Sequence, residues 1–346
     1  MTLAENKRLC TRPFEWCEIH PDGSMFLCCP AWLARPVGNI LTGTIEQSWN
    51  SPVAQEIRKS ILNHSFHNCK SQRCPFLATG SGPVKPLSSV LDPDIREALQ
   101  KGRSLLPYPP VKLNLCFDHS CNLACPSCRK KAQQATGEAL QRAQQISDLV
   151  MEQLIPHARE ITLSGFGDPF ASPTYFSLLK RLNQQQQELP LLRLHSNGQL
   201  WTRDLWETLP RLHRQVVETE ISIDAGTAAT YAINRPGGSF ERLLQNLRYL
   251  STQAFSLTLS MVVQRNNFRE IPKLVELAGQ LKAKVYLSRL VNWGTFTREE
   301  FLNRAVHLDG HAEQEAFKAI IRSLPEDKSI DIGNLFGAVA DKKRRE

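Results

Sequence analysis

Cysteine is the residue type in this chain that most directly indicates metal chemistry. The chain has 346 residues and ten cysteines, all within its first 128 positions. Thiolates bind zinc, iron and iron–sulfur clusters, and cysteines in a reducing compartment are more often ligands or redox groups than disulfide partners. The cysteine content therefore predicts metal binding in a cytoplasmic protein.

Composition and hydropathy support the expectation of a cytoplasmic protein that does not span a membrane. No apolar run approaches the roughly 20 residues that cross a bilayer, and the first residues, MTLAENKR, lack the apolar core of a signal peptide. The formal net charge of +8 is mild. It suits an acidic peptide, another anion or nucleic acid, and a plain solvated surface explains it equally well.

Three cysteines, Cys121, Cys125 and Cys128, stand closest together in the spacing C-x3-C-x2-C. A [4Fe–4S] cluster has four iron corners that are commonly held by four thiolates. Three thiolates leave one iron open to a substrate or cofactor, as a catalytic metal site requires. Zinc is the alternative, with His119 or Cys116 as the nearest fourth ligand.

The elements that must position this triplet alternate between strand and helix from residue 111 onward. Short apolar runs predict the strands Val111–Phe117, Glu160–Ser164, Leu191–His195, Val217–Ile223, Ser256–Val263 and Lys284–Val291. Amphipathic stretches predict intervening helices that include Ala139–Leu154, Tyr175–Gln187, Phe240–Leu250 and Ile271–Leu281. Such βα units predict an α/β fold, a partial (β/α)6 barrel with functional loops at the carboxyl ends of its strands.

A second group of cysteines precedes the barrel and predicts a separate small domain. Its members are Cys10, Cys17, Cys28, Cys29, Cys69 and Cys74. A stretch rich in Gly, Pro and Ser at Thr79–Ser89 separates the two groups and predicts a linker. We therefore predict a cysteine-rich domain with its linker at residues 1–106, the barrel at 107–297, and C-terminal helices with a basic tail at 298–346.

The triplet directly follows the first predicted barrel strand, and in that position it resembles the signature of the radical S-adenosylmethionine (SAM) superfamily. The resemblance implies a [4Fe–4S] cluster with Cys121, Cys125 and Cys128 as ligands and catalytic residues, whose open iron is chelated by SAM. It implies that an electron from the cluster cleaves SAM to methionine and a 5′-deoxyadenosyl radical, which abstracts hydrogen from the substrate. A reductant such as flavodoxin or ferredoxin is the implied electron donor.

Segments after the second and third predicted strands resemble SAM-binding segments of the same family. The run SGFGDP at 164–169 resembles the Gly-Gly-Glu segment, which implies that Gly165, Gly167 and Asp168 bind the SAM amino group. The run HSNG at 195–198 is similar to Thr-Asn-Gly and implies that Ser196 and Asn197 contact the ribose or the carboxylate. Plain tight turns are the alternative for both segments.

The end of the fourth predicted strand carries two further positions of this kind. Ser222 and Asp224 match a ribose-contacting position of the family. Arg235 opens the run RPGG, which resembles the Arg-x-x-Gly of peptide-modifying members and implies pairing with the SAM carboxylate. Because these segments occur in order, each at a strand end, they support one another.

The N-terminal cysteines resemble the SPASM or twitch auxiliary-cluster region of radical SAM enzymes. The resemblance rests on Cys17-x5-Gly23-x4-Cys28, on the runs GNI and SWNS, and on Cys69-x4-Cys74-Pro. It implies an auxiliary [4Fe–4S] cluster held by the four cysteines of these two motifs. In most members the region follows the barrel, whereas here it precedes the barrel.

The remaining cysteines have other expected roles. Cys29 follows Cys28 and, in an extended segment, points to the opposite face, so we expect a spare or buried thiol. Cys116 is expected to be a small core residue, and the role of Cys10 stays open. Zinc is again the alternative for the N-terminal quartet.

Enzymes with such an auxiliary region include those that mature sactipeptides, anaerobic sulfatases, pyrroloquinoline quinone and mycofactocin. The resemblance therefore predicts an enzyme of the oxidoreductase or maturase type acting on a C–H bond of a ribosomally made peptide, by crosslinking, dehydrogenation or epimerisation. One alternative is oxidation, epimerisation or decarboxylation of a small metabolite such as a sugar or amino acid. Another is a metal-binding adaptor without catalysis; nucleic acid is not the expected partner.

Overall fold

A computed structural model describes residues 8–163 and 166–335 of the chain. The described residues fall into two units. The first contains residues 8–119, 135–163, 166 and 186–192, and the second contains residues 120–134, 167–185 and 193–335.

The strands and helices are numbered here in chain order. The strands are β1 (Arg8–Cys10), β2 (Trp16–Ile19), β3 (Ser24–Phe26), β4 (Gly38–Asn39), β5 (Val84–Pro86), β6 (Lys112–Leu115), β7 (Glu160–Leu163), β8 (Leu191–Ser196), β9 (Val216–Ser222), β10 (Ser256–Val263), β11 (Lys284–Arg289) and β12 (Ile330–Asp331). The helices are α1 (Arg12–Glu15), α2 (Ile45–Trp49), α3 (Pro52–Leu62), α4 (Pro75–Thr79), α5 (Pro93–Gln100), α6 (Gly137–Gln153), α7 (Pro173–Gln184), α8 (Arg203–Glu207), α9 (Ala228–Asn234), α10 (Phe240–Leu250), α11 (Ile271–Gln280), α12 (Arg298–Arg304) and α13 (Gln314–Ser323).

In the first unit, a strand of the cysteine-rich region pairs with the first barrel strand. The strand order is β7-β6-β2-β3-β4, in which β6 runs parallel to both β7 and β2, and β3 is antiparallel to its two neighbours. Strands β1 and β5 form a separate antiparallel pair. The predicted boundary at residue 106 thus falls between two paired strands, β2 and β6, and the three-part division of the chain stays a prediction.

In the second unit, parallel strands alternate with helices as predicted. Strand β10 pairs in parallel with β9 and β11, and β11 pairs in parallel with β12. The six strands predicted between residues 111 and 291 are β6 to β11, with ends that differ by at most two residues from the prediction. The predicted α/β class is confirmed.

The helices form where capping side chains and apolar spacing favour them. Helix α10 buries Leu243, Leu247 and Leu250, whose spacing places them on one face. The hydroxyl of Ser172 accepts a hydrogen bond from the amide of Tyr175 at the start of α7. The predicted C-terminal amphipathic segment forms α12 and α13. No helix within the described ranges combines enough length and apolar character to span a bilayer.

The predicted Pro-Asp-Gly turn joins β2 to β3. Gly23 has φ +82°, and a Cβ atom there would lie 2.5 Å from Oδ1 of Asn39, so the turn requires glycine. The carboxylate of Asp22 accepts hydrogen bonds from the amide and the hydroxyl of Ser24. This turn aligns β3 antiparallel to β2.

Candidate active site

The cysteine triplet lies on a loop of the second unit that backbone hydrogen bonds close. Cys121 and Gln133 exchange two hydrogen bonds of 2.7 and 3.0 Å. The amide of Cys128 donates to the carbonyl of Cys125 at 2.9 Å, which makes a tight turn between these ligand candidates. The amide of Ala124 donates to the carbonyl of Pro236, which ties the loop to the segment after α9.

Each thiol of the triplet accepts a hydrogen bond from a different side chain. The pairs are Asn197 Nδ2 to Cys121 Sγ at 3.6 Å, Arg235 Nη1 to Cys125 Sγ at 3.4 Å, and Arg129 Nε and Nη2 to Cys128 Sγ at 3.4 Å. Burial raises the pKa of the Cys125 thiol, and the charge of Arg235 opposes this shift. The charges of the other two thiols also reach Cys125. The structure therefore brings the three predicted ligands together.

This donor set suits a thiolate-bound cluster. Cluster thiolates carry negative charge, and the side chains that point at these sulfurs are two guanidinium groups and an amide N–H. In the described part of the chain, no three His, Cys, Asp or Glu side chains are grouped to hold a single metal ion. A cubane has its four irons at separate corners, so its thiolates do not converge on one point.

The carboxylate of Asp168, after β7, is filled by four protein donors. Its Oδ1 accepts from the amides of Phe170 and Ala171 at 3.0 and 3.1 Å. Its Oδ2 accepts from the hydroxyl of Ser196 and the amide of Asn197, both at 2.8 Å. Burial raises the pKa of Asp168, and these donors oppose the shift. The geometry makes Asp168 a positioning residue for the segment after β8, and its contact with the SAM amino group stays a prediction.

The glycines predicted beside Asp168 are only partly described. Gly165 lies outside the described residues. Gly167 is half-buried in a bend directly before Asp168. The amide of Asp168 donates to the carbonyl of Ser120 at 2.9 Å, which ties this bend to the start of the cysteine loop.

Asn197 lies in a turn and reaches the cysteine loop. Its Nδ2 donates to Oδ1 of Asn122 at 2.9 Å as well as to the Cys121 sulfur, while its Oδ1 accepts from the amide of Gln199 at 2.9 Å. Gly198 has φ +73°, and a Cβ there would lie 2.7 Å from a methyl carbon of Leu243. The segment is thus a tight turn that also holds an amide against a ligand candidate; contacts of Ser196 and Asn197 with SAM stay predictions.

The end of β9 carries a buried ion pair. Nη2 of Arg235 lies 2.7 Å from Oδ2 of Asp224, whose Oδ1 accepts from the amide of Val262 at 2.6 Å. Burial lowers the pKa of Arg235, but the charges of Asp224 and Cys125 outweigh burial and the net shift is upward. Nε of Arg235 is buried without a hydrogen-bond partner. This N–H is available to an anionic group such as a carboxylate.

The backbone of Asp224 is held in an uncommon conformation. Its φ of +53° lies in the left-handed region, where aspartate and asparagine are the favoured residues besides glycine. The side-chain amides of Asn234 and Asn267 donate to its carbonyl at 2.8 and 3.0 Å. Ser222, the last residue of β9, is half-buried and accepts from the hydroxyl of Ser260 at 3.3 Å. Strain of this kind is concentrated at functional sites in proteins.

In the first unit, one predicted auxiliary ligand stands apart from the others and Cys10 takes its place. Thiol charges connect Cys10 with Cys28 and Cys69, and Cys69 with Cys28 and Cys74. Cys17 is fully buried on β2, beside Leu113 of β6, and the only charge that reaches it is that of Glu18. The predicted quartet with Cys17 does not match this grouping, because β2 lies inside the sheet between β3 and β6.

A sequence signal for this distinction existed. Cys17 lies within a strand candidate that leads into the Pro-Asp-Gly turn, and a strand inside a sheet buries its apolar side chains. Cys28 also accepts a hydrogen bond from the indole N–H of Trp32 at 3.1 Å. Cys29 is half-buried, and burial raises its pKa to about 11, whereas Cys116 is buried as expected.

Family models match two parts of the chain. The radical SAM superfamily matches residues 117–278, and the SPASM iron–sulfur cluster-binding domain matches residues 10–75. The chain belongs to the radical SAM superfamily and carries its SPASM domain in front of the radical SAM domain. The predictions of a radical SAM protein with a [4Fe–4S] cluster, SAM and auxiliary iron–sulfur binding are confirmed at the level of the family.

Several characterised proteins resemble the chain over part of its length. The PqqA peptide cyclase of Gluconobacter oxydans is 27% identical over 208 residues, which cover 57% of this chain and 54% of the cyclase. The GTP 3′,8-cyclase of Synechocystis is 25% identical over 191 residues, with coverages of 55% and 57%. The mycofactocin maturase MftC of Mycobacterium tuberculosis is 25% identical over 183 residues, with coverages of 52% and 45%. The chain thus spans about half the length of these relatives.

Solved structures with a similar course of the chain come from the same superfamily. Streptococcus suis SuiB bound to S-adenosylmethionine matches with a TM-score of 0.45 and 13% identity, covering 97% of this chain and 73% of SuiB. The enzyme anSMEcpe with bound AdoMet matches with a TM-score of 0.40 and 17% identity, covering 53% and 51%. Both likenesses are remote, so the family assignment rests on the two family models.

Proposed function

We propose that the chain is a radical SAM enzyme that abstracts hydrogen from a C–H bond of a ribosomally made peptide. The observation that carries the proposal is the triplet loop: three thiols on one loop, each met by a hydrogen-bond donor that other segments hold in place. The peptide as substrate is supported by the likeness to the PqqA peptide cyclase. The chain's own substrate and reaction are part of the proposal.

In this proposal the triplet holds three corners of the catalytic cluster. A [4Fe–4S] cluster with SAM supplies a 5′-deoxyadenosyl radical, which removes hydrogen from a C–H bond. Arg235 keeps its positive charge because Asp224 neutralises it, and the unpartnered Nε–H suits the carboxylate of SAM. Asp168 fixes the segment that carries Ser196 and Asn197. Gly165, Gly167 and Ser222 belong to the same proposed SAM site.

We assign the auxiliary cluster to Cys10, Cys28, Cys69 and Cys74. Four thiolates saturate a cubane, which suits transfer of an electron and not substrate binding at an open iron. Electron transfer at this point favours a net oxidation, such as crosslinking or dehydrogenation. Epimerisation is the other outcome, with Cys29 as a thiol that returns a hydrogen atom.

Anaerobic reconstitution tests the cluster assignment. The parent chain is expected to bind about eight irons and the Cys121/Cys125/Cys128→Ala variant about four, because each cubane holds four irons. Only the parent should form 5′-deoxyadenosine from SAM after reduction with dithionite. A Cys116→Ala variant serves as the control, since it removes a buried thiol outside both groups. A zinc-loaded protein, or a full iron complement without SAM cleavage, would refute the proposal and favour the adaptor.

Mass spectrometry of candidate substrates tests the peptide assignment. Short peptides encoded beside the gene are incubated with the reconstituted chain, SAM and reductant. Loss of two hydrogens from the peptide indicates an oxidative reaction, and uptake of one deuterium from D2O indicates epimerisation. A small metabolite is the second candidate, because the GTP 3′,8-cyclase is among the similar proteins. If no peptide changes while a metabolite is consumed, the peptide assignment is wrong.

Three further assignments complete the proposal. They are a cytoplasmic location, a flavodoxin or ferredoxin as electron donor, and the division at residues 106 and 297. Limited proteolysis tests the division, which predicts cleavage between Thr79 and Pro110 before any cut within the barrel. Cleavage elsewhere, with that segment intact, contradicts it.

A further inference from the structure

The three hydrogen bonds to the triplet have a consequence for the redox behaviour of the site. We propose that Arg129, Asn197 and Arg235 set the reduction potential of the SAM-binding cluster by donating N–H groups to its cysteine ligands. This inference rests on the proposed assignment of that cluster to the triplet. The residues are positioning residues, because they act through the sulfur atoms they contact.

The direction of the effect follows from charge. Reduction adds one electron, supplied by an external low-potential reductant, to the cluster and its thiolates, and no bond forms or breaks in the protein. A hydrogen bond or positive charge at the sulfur stabilises the more negative, reduced form more than the oxidised form. Removing a donor therefore makes the cluster harder to reduce and moves its midpoint potential to a more negative value.

The donors are held in place by the fold and do not depend on the cluster for their orientation. The amide of Asn197 donates to the carboxylate of Asp168, and its side-chain oxygen accepts from the amide of Gln199. Arg235 is held by its ion pair with Asp224. Such support from neighbouring residues is how proteins orient groups around metal ligands.

The three donors are expected to contribute unequally. Arg129 directs two N–H groups at the Cys128 sulfur, and its charge interacts with all three thiols of the triplet. Arg235 shares its charge with Asp224, so the pair adds little net charge. Asn197 contributes one neutral N–H. The largest shift is therefore expected on replacing Arg129.

A redox titration followed by electron paramagnetic resonance tests the inference on the full-length, reconstituted chain. The catalytic cluster is identified as the signal that changes when SAM is added, which separates it from the auxiliary cluster. Arg129→Met is expected to move the midpoint to a clearly more negative potential, and Arg129→Lys to a smaller extent. Arg248→Met is the control, because it removes the same charge from an exposed position on α10 and should leave the midpoint unchanged.

An isosteric change tests the neutral donor. Asn197→Asp keeps the oxygen that accepts from Gln199 but puts a carboxylate oxygen in place of the N–H that meets Cys121. We expect a negative shift of the midpoint at an unchanged iron count. If Arg129→Met binds less iron than the parent, Arg129→Lys and Asn197→Asp decide the question.

The outcomes separate this inference from the proposed function. A SAM-responsive signal whose midpoint is the same in the parent, Arg129→Lys and Asn197→Asp overturns the inference and leaves the cluster assignment standing. The absence of any SAM-responsive signal in the iron-loaded parent overturns both. A negative shift in the variants together with an unchanged Arg248→Met midpoint supports the inference.

Discussion

The guanidinium of Arg235 lies 2.7 Å from the carboxylate of Asp224, and both side chains are more than nine-tenths buried. Asp224→Asn keeps the oxygen that accepts from Val262 and tolerates the left-handed backbone, but it leaves Arg235 without its counter-charge. We expect the free energy of unfolding to fall by about 3–5 kcal/mol, as for other broken buried ion pairs. Urea denaturation measures this value.

The matched control for that change is Asp204→Asn, at an exposed position in the first turn of α8. Loss of a charge at a helix N-terminus costs at most about 1 kcal/mol. Equal effects of the two substitutions would show that the Asp224–Arg235 pair contributes nothing specific to stability.

Asp168→Asn is expected to destabilise the segment that precedes Gly198. The amide group can accept hydrogen bonds through its oxygen only, so one of the two donor pairs at Asp168 loses its acceptor. A buried donor without an acceptor costs about 1–3 kcal/mol. Urea denaturation should show this loss relative to Asp204→Asn, and an unchanged unfolding midpoint would contradict the four-donor geometry.

Single substitutions distinguish Cys10 from Cys17 as an auxiliary-cluster ligand. Cys10→Ala is expected to lower the iron bound by the reconstituted chain by up to about four per chain, the content of one cubane. Cys17→Ala should leave the iron content unchanged, because Cys17 lies within the sheet on β2. Iron and sulfide analysis under anaerobic conditions measures both. Loss of iron in Cys17→Ala alone would restore the original quartet.

His307 makes the stability of the second unit depend on pH. Burial, followed by the charges of Arg289 and His311, lowers the pKa of His307 to about 4. The unfolded chain binds this proton near pH 6.5, so the folded state loses stability as the pH falls from about 6.5 to about 4. Since the ring keeps some solvent contact, we expect a loss of about 1–2 kcal/mol between pH 7 and pH 5.

The measurement is urea denaturation at both pH values for the parent and for His307→Leu. The variant should lose this part of the pH dependence, because leucine has no group to titrate. His157→Gln, at an exposed position, should behave as the parent does. Identical pH profiles of the parent and His307→Leu would contradict the prediction.

Local patterns in the sequence were sufficient for the order of elements and for the catalytic loop. The strands β6 to β11 follow from apolar runs of strand length, and the turn at Gly23 follows from residues that favour a positive φ. The triplet from Cys121 to Cys128 is a spacing within a single loop, so it survives any arrangement of the rest of the chain. These features depend on neighbours in the sequence, and therefore the sequence determined them.

The tertiary structure decided which distant residues meet. The parallel pairing of β2 with β6 joins segments about a hundred residues apart, and no local pattern specifies it. That pairing buries Cys17 and leaves Cys10 with the other auxiliary thiols. Likewise, the sequence indicated polar residues at Asp168 and Arg235, but only folding shows that the protein's own donors and Asp224 satisfy them. Hydrogen bonds and ion pairs in a buried site depend on distances between segments, which the chain sets only when it packs.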